Sequence, residues 1–112
     1  MTVTVRNIIP PKQAEAAQTT QYTASNCKAL IDKFTVTNTT ATAATFAVNL
    51  VPYGGTASDS NLILKTRTIA AGETYCCPEL VGHALESGGF ISTLAGTASA
   101  LTICATGREI TT

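Results

Sequence analysis

Charge is scarce in this sequence. Its 112 residues carry 7 basic and 7 acidic side chains, 12% of the chain, and the formal net charge is zero. Soluble domains carry about 25%, so this chain has little electrostatic hold on a phosphate backbone, and the expectation is that it does not bind nucleic acid. Near-zero net charge also gives weak protection against association. No apolar run approaches the roughly 18 residues that span a bilayer, and no basic amphipathic stretch suggests a membrane surface. The opening MTVTVRNIIPPK has no continuous apolar segment of the secretory kind. The expectation is a product made and kept in a reducing cytoplasm. Its four cysteines (Cys27, Cys76, Cys77, Cys104) then read as thiols. They form no C-x-x-C pair, and a zinc site would have to recruit His83 from a separate segment. Neither a metal nor a cofactor is expected.

What fills the space left by charge is Thr and Ala, about a third of the chain, together with eight Gly. The length suits one domain with a modest core. Residues 1–20 differ from the rest. Thr2-Val3-Thr4-Val5 alternates with period two, and Pro10-Pro11 can neither continue a helix nor donate to a central ladder. Lys12–Thr20 has no apolar stripe. This reads as an extended N-terminal arm, either frayed or laid as an added strand on a neighbouring subunit. The candidate partner-binding residues on it are Val3, Val5, Ile8, Ile9, Pro10 and Pro11.

Residues 21–112 read as an all-β domain. Candidate strands are Gln21–Ser25, Ala29–Asn38, Thr45–Pro52, Leu62–Ile69, Thr74–Cys77, Phe90–Leu94 and Ser99–Thr106. In the second of them Leu30, Phe34 and Val36 share a parity. In the third, Phe46, Val48 and Leu50 alternate with smaller or polar residues. Glu79–Ser87 offers one short helical turn, stopped by Gly88-Gly89. About seven short strands point to a small β-sandwich or jelly-roll-like barrel.

Catalysis needs convergent polar groups, and few are available. His83 is the only imidazole, and Glu79 four residues earlier could share a helical face with it, but no nucleophile accompanies them. Cys76 and Cys77 have no Lys or Arg beside them in sequence to lower a thiol pKa. Asp32, Asp59, Glu73, Glu79, Glu86 and Glu109 are scattered singly. Gly54-Gly55 and Gly88-Gly89 read as turns, since no phosphate-binding glycine pattern appears. The expectation is a protein that is not an enzyme.

Five phrases carry more information. They are Ile31–Asn38 (IDKFTVTN), Leu50–Gly55 (LVPYGG), Ile69–Tyr75 (IAAGETY), Pro78–Leu85 (PELVGHAL) and Gly107–Thr111 (GREIT). In this order they resemble small β-sheet structural proteins of tailed bacteriophages, over roughly Ala29–Thr112. The Cys76-Cys77 pair departs from the family's pattern, and the chain stops directly after the last phrase. The resemblance implies a virion component without catalytic residues, most closely a capsid decoration (cement) protein on the capsid surface. Its partners would be the major capsid protein and copies of itself. A tail, neck or fibre-associated module is the alternative within virions, and a carbohydrate-binding adhesin the alternative outside them. A sugar site wants exposed aromatics, for which only Tyr22, Tyr53 and Tyr75 compete. Thr45–Pro52 and Ser99–Thr106 carry no charge. They read as sheet edges without protecting charge, so a covering partner chain is expected, with capping by the chain's own loops as the alternative.

Overall fold

The computed structural model describes residues 1–111. Thr112, the end of the unit read as 21–112, lies outside them. The described residues form an all-β sandwich of two antiparallel sheets with nine strands. These are β1 (Thr2–Gln13), β2 (Thr19–Thr23), β3 (Lys28–Asn38), β4 (Ala44–Val51), β5 (Leu62–Ile69), β6 (Thr74–Tyr75), β7 (Ala84–Leu85), β8 (Phe90–Ala95) and β9 (Leu101–Thr111). One sheet runs β1-β9-β3-β6, with β7 also on β3, and the other runs β2-β8-β4-β5. Phe34 of the first sheet and Phe46 of the second meet with ring centroids 6.2 Å apart. Around them lie Ile9, Ile31, Val36, Val48, Ile69, Leu80, Ile91, Leu101 and Ile103, all fully buried. This interior follows from period-two alternation on strands whose inner faces meet.

Several expectations are corrected here. Residues 1–20 are extended but not detached. β1 pairs along its length with the chain's own β9, from Thr2↔Thr111 to Gln13↔Thr102, and the boundary drawn at residue 20 falls inside β2. Pro10 and Pro11 stand where the register shifts between Ile9 and Lys12, on an edge strand, so their missing N–H groups cost the ladder little. The uncharged segments Thr45–Pro52 and Ser99–Thr106 are not edges. They form β4 and much of β9, each flanked by two strands of its own sheet. Their lack of charge is what a central strand needs, and it implies no partner. Two of the real edges carry charge over part of their length. β1 carries Arg6, Lys12 and the prolines. β5 carries Lys65 and Arg67 and is bulged beside Thr66, whose φ is 42°.

A second bulge changes the reading of β3. The register shifts between Ile31 and Lys33, so the buried residues switch from Ala29 and Ile31 to Phe34, Val36 and Asn38. Leu30, grouped by simple parity with Phe34, is instead half-buried opposite Arg108. The bulged residue Asp32 accepts from Arg108 Nε and NH2, both at 3.0 Å. Gly107 sits at the same place because a Cβ there would lie 2.1 Å from the Leu30 carbonyl oxygen. The sole helical turn among the described residues is a 3-10 turn at Asp59–Asn61. Glu79–Ser87 forms turns and the short β7 instead.

Two of the quoted phrases turn out to be turn chemistry. Asn38 is fully buried and fully bonded. Its Nδ2 donates to the carbonyls of Thr42 (2.8 Å) and Ile69 (2.9 Å), and its Oδ1 accepts from Thr40 N and Oγ1. Glu73 bonds within its own turn. Its carboxylate accepts from Ala70 N at 2.8 Å while its own N–H donates to Ala70 O, closing the turn before β6.

Candidate functional site

The sequence places its candidate residues on β1, and the structure divides them. Ile8 and Ile9 are 3% and 0% exposed and belong to the core. They cannot bind a partner without unfolding the strand. Val3 and Val5 are 48% and 70% exposed, and Pro10 and Pro11 are exposed too. Val3 opposes Ile110 and Val5 opposes Arg108, so both valines stand on the outer face of the first sheet. Among the described residues β1 pairs with β9 alone, which leaves its other edge open. At its N-terminal end this edge is uncharged from Thr2 to Val5.

Behind that end, Thr4 opposes Glu109, whose carboxylate points between the sheets toward Tyr22 of β2. Tyr22 Oη donates to Glu109 Oε2, and Arg6 NH1 donates to Oε1 at 3.1 Å, with the Cys27 thiol beside them. The Tyr22 bond, followed by Arg6, holds the Glu109 carboxyl below the usual range. Burial, reinforced by the Glu109 bond, pushes the Tyr22 phenol well above its ordinary value. This network clamps the two sheets at the open end of β1. Sequence reading missed it because its members lie on three strands, β1, β2 and β9.

The groups considered for chemistry do not converge. His83 is exposed on a turn, and Glu79 instead accepts from Tyr75 Oη at 2.6 and 2.7 Å. All four cysteines are unpaired thiols. Cys76 and Cys77 follow β6 and do not extend it; Cys76 is exposed, whereas Cys77 is fully buried. Burial, with smaller contributions from Glu79 and Cys76, pushes the Cys77 thiol up to about 12. Among the described residues no three His, Cys, Asp or Glu side chains group as metal ligands. The cations are largely engaged: Arg6 with Glu109, Lys12 with Glu15, Lys28 with Glu86 and Arg108 with Asp32. Arg67 lies 4.2 Å from the Tyr75 ring centroid.

Two larger depressions bear on ligand binding. One, of about 270 Å³, lies on the outer face of the second sheet near Asn49 and Leu94. Its polar floor is bonded to itself. Gln18 Nε2 donates to Ser92 Oγ (2.8 Å) and Asn49 Oδ1 (3.3 Å), while Asn49 Nδ2 donates to Asn61 Oδ1 (2.8 Å) and Ser58 O (2.9 Å). Such a network fixes the loop before β5 and has little capacity left for a ligand. The other lies at one end of the sandwich, where the β2–β3, β4–β5 and β7–β8 connections meet. A cavity of about 480 Å³ there is lined by Thr23, Ser25, Asn26, Tyr53, Ser87 and Gly88. It adjoins a cavity of about 550 Å³ that shares Asn26 and Ser87 and adds Cys27, Lys28, Glu86 and Ile110. The sequence held one signal for this place: a Tyr inside Pro-Tyr-Gly-Gly sits in a turn and cannot reach a core. Comparison with protein-family models, with curated proteins and with solved structures finds no match for this chain.

Proposed function

We propose that this protein is a structural component of a tailed-bacteriophage virion: a decoration protein that binds the lattice of the major capsid protein and stabilises it against internal pressure. The five-phrase resemblance over Ala29–Thr112 supports that reading. The observation that carries it furthest is the open edge of β1. Twelve residues of strand are paired on one side only, and the Thr2–Val5 end bears two exposed valines and no charge. An edge of this kind accepts an added strand, with main-chain hydrogen bonds giving affinity and the valines giving apolar contact. The partner strand comes from the capsid lattice or from a second copy of this chain.

The test is co-sedimentation of the purified protein with mature capsids. Occupancy should saturate at a copy number set by lattice symmetry, and removing residues 1–5, which spares Ile8 and Ile9, should reduce it. Failure of the intact protein to sediment with capsids overturns the reading. Binding to purified tails in place of capsids would favour the tail, neck or fibre-associated alternative.

A further inference from the structure

We propose that the groove at the Tyr53 end of the sandwich is a binding site for a neutral saccharide. The three tyrosines have different situations. Tyr22 is half-buried on Glu109, and Tyr75 is bonded to Glu79 beneath Arg67. Tyr53 is 82% exposed, and its hydroxyl has no partner among the described residues. Its ring is nevertheless held in place. Gly55 N donates to Pro52 O at 2.9 Å, closing the turn that carries it. The ring lies on the backbone of Gly88, where a Cβ would stand 2.5 Å from Tyr53 Cδ1; glycine is required there for contact as well as for its φ of +87°. The aromatic platform is therefore backed on one side and open on the other.

The walls supply the complementary groups. Thr23, Ser25, Asn26 and Ser87 line the same cavity, and none of their side chains makes a hydrogen bond among the described residues. Hydroxyl and carboxamide groups both donate and accept, which is what a ring of hydroxyls requires of its partner. The loops that carry them are tied together by Gly88 N to Ala24 O (2.7 Å) and Ala24 N to Gly89 O (2.9 Å). The backbone that carries these groups is thus placed before any ligand arrives, which lowers the ordering cost of binding. Both adjoining volumes fall within the range of about 300–1,000 Å³ that holds small ligands. Among the described residues the charges along the groove are Lys28 and Glu86, which are paired at 3.5 Å. Among the described residues no unpaired cation lines the groove to take a phosphate or carboxylate, and a purely apolar ligand would leave the Thr, Ser and Asn groups without partners. What remains is a neutral polyhydroxylated ring, its C–H face on Tyr53 and its hydroxyl edge toward Ser25, Asn26 and Ser87. This site uses no residue of the β1 edge and stands independently of the virion reading.

The experiment is a titration of the intact, isotope-labelled protein followed by amide NMR. The probes are maltotriose, cellotriose, chitotriose and lactose, with inorganic phosphate and sialyllactose as charged controls. At least one neutral probe should move the amides of Ser25, Asn26, Gly54, Ser87 and Gly88, saturating with a dissociation constant of about 1 mM. Tyr53→Ala should weaken binding about tenfold, equivalent to about 1.4 kcal/mol. Tyr53→Phe, which keeps the ring, should stay within about twofold. Asn26→Gly keeps the left-handed backbone (φ 57°) while removing the carboxamide, and should also weaken binding. The rest of each variant's spectrum reports whether it is folded. No movement of these amides by about 10 mM of every neutral probe overturns the proposal, as does undiminished binding by a folded Tyr53→Ala or a response to the charged controls alone.

Discussion

Replacing Ile9 with Ala tests whether β1 belongs to the fold. Ile9 is fully buried and lies opposite Ala105, inside a core that includes Ile103 and Phe34. Removing a buried Ile down to Ala costs about 2–5 kcal/mol, the transfer free energy of the lost methyls plus the cavity left behind. β1 is an edge strand and can relax toward the gap, so a value of about 3 kcal/mol is expected. For a chain of 112 residues the entropy of unfolding is about 0.24 kcal/mol/K, which converts that loss into a fall in Tm of about 12 °C. Val5→Ala, on the same strand but 70% exposed, should change stability by less than about 0.5 kcal/mol.

The assay is urea unfolding followed by circular dichroism at two protein concentrations. An arm docked on its own sheet predicts a lower midpoint for Ile9→Ala, an unchanged slope and no dependence on protein concentration. An arm exchanged onto a neighbouring subunit predicts a midpoint that moves with concentration instead. An Ile9→Ala protein within about 0.5 kcal/mol of the parent would refute the placement of β1 in the core. So would a Val5→Ala loss of equal size. The same reasoning limits any truncation aimed at the partner edge. Deleting residues 1–11 strips two buried isoleucines and leaves most of β9 unpaired on that side, whereas deleting residues 1–5 spares both isoleucines and unpairs only Arg108–Thr111.

Two further outcomes follow from the clamp and the thiols. The folded-state pKa of Glu109 is lowered, so its contribution is present above the ordinary carboxylate pKa of about 4 and is lost as pH falls through the lower folded value. The folded-state pKa of Tyr22 is raised, so its contribution is present below about pH 10 and is lost as pH rises above it. Tyr22→Phe should therefore flatten both limbs of a plot of urea midpoint against pH. The acid limb should persist in part, because Glu15 (through Gln21 and Lys12) and Glu79 (through Tyr75) are also lowered. Unchanged limbs would show that the Tyr22–Glu109 bond does not form in solution. In a thiol titration, Cys76 should react rapidly in the native protein, whereas Cys77 should react only when denaturant exposes it and removes the burial that holds its thiol up to about 12. Four equivalents should be found after denaturation; fewer would reveal an oxidised pair.

Two strands could be read directly: Thr45–Pro52 and Leu62–Ile69 lie within a residue of β4 and β5, because apolar and β-branched residues bounded by turn residues favour a strand wherever it is placed, even where the ladder is bulged. The β3 inner face could not be read this way. Its parity changes at a bulge beside the Gly107–Leu30 approach, a contact between residues far apart in sequence. Glu79–Ser87 has helix-permitting residues, but its backbone is claimed by β3: Ile31 N donates to His83 O, and Gly82 N donates to Ile31 O at 2.7 Å. Those long-range bonds outweigh a weak local propensity. Of the candidate site residues, Val3 and Val5 are exposed, while Ile8 and Ile9 are buried. Hydrophobicity alone does not say whether an isoleucine is waiting for a partner or already has one.

Composition and spacing by themselves determine that this chain is all-β, that its charge is low, and where its turns fall, since these depend on side-chain type and on near neighbours. Only the tertiary structure decides which strands are edges. That assignment reverses the meaning of the missing charge: β4 and the uncharged Leu101–Thr106 part of β9 are central, whereas β1 and β5, which carry Arg6, Lys12, Lys65 and Arg67, are edges. It also decides that Tyr53, rather than Tyr22 or Tyr75, stands open above a glycine among unpaired hydroxyls. Strand order and the meeting of distant loops are set by the packing of two sheets, and no local pattern encodes them.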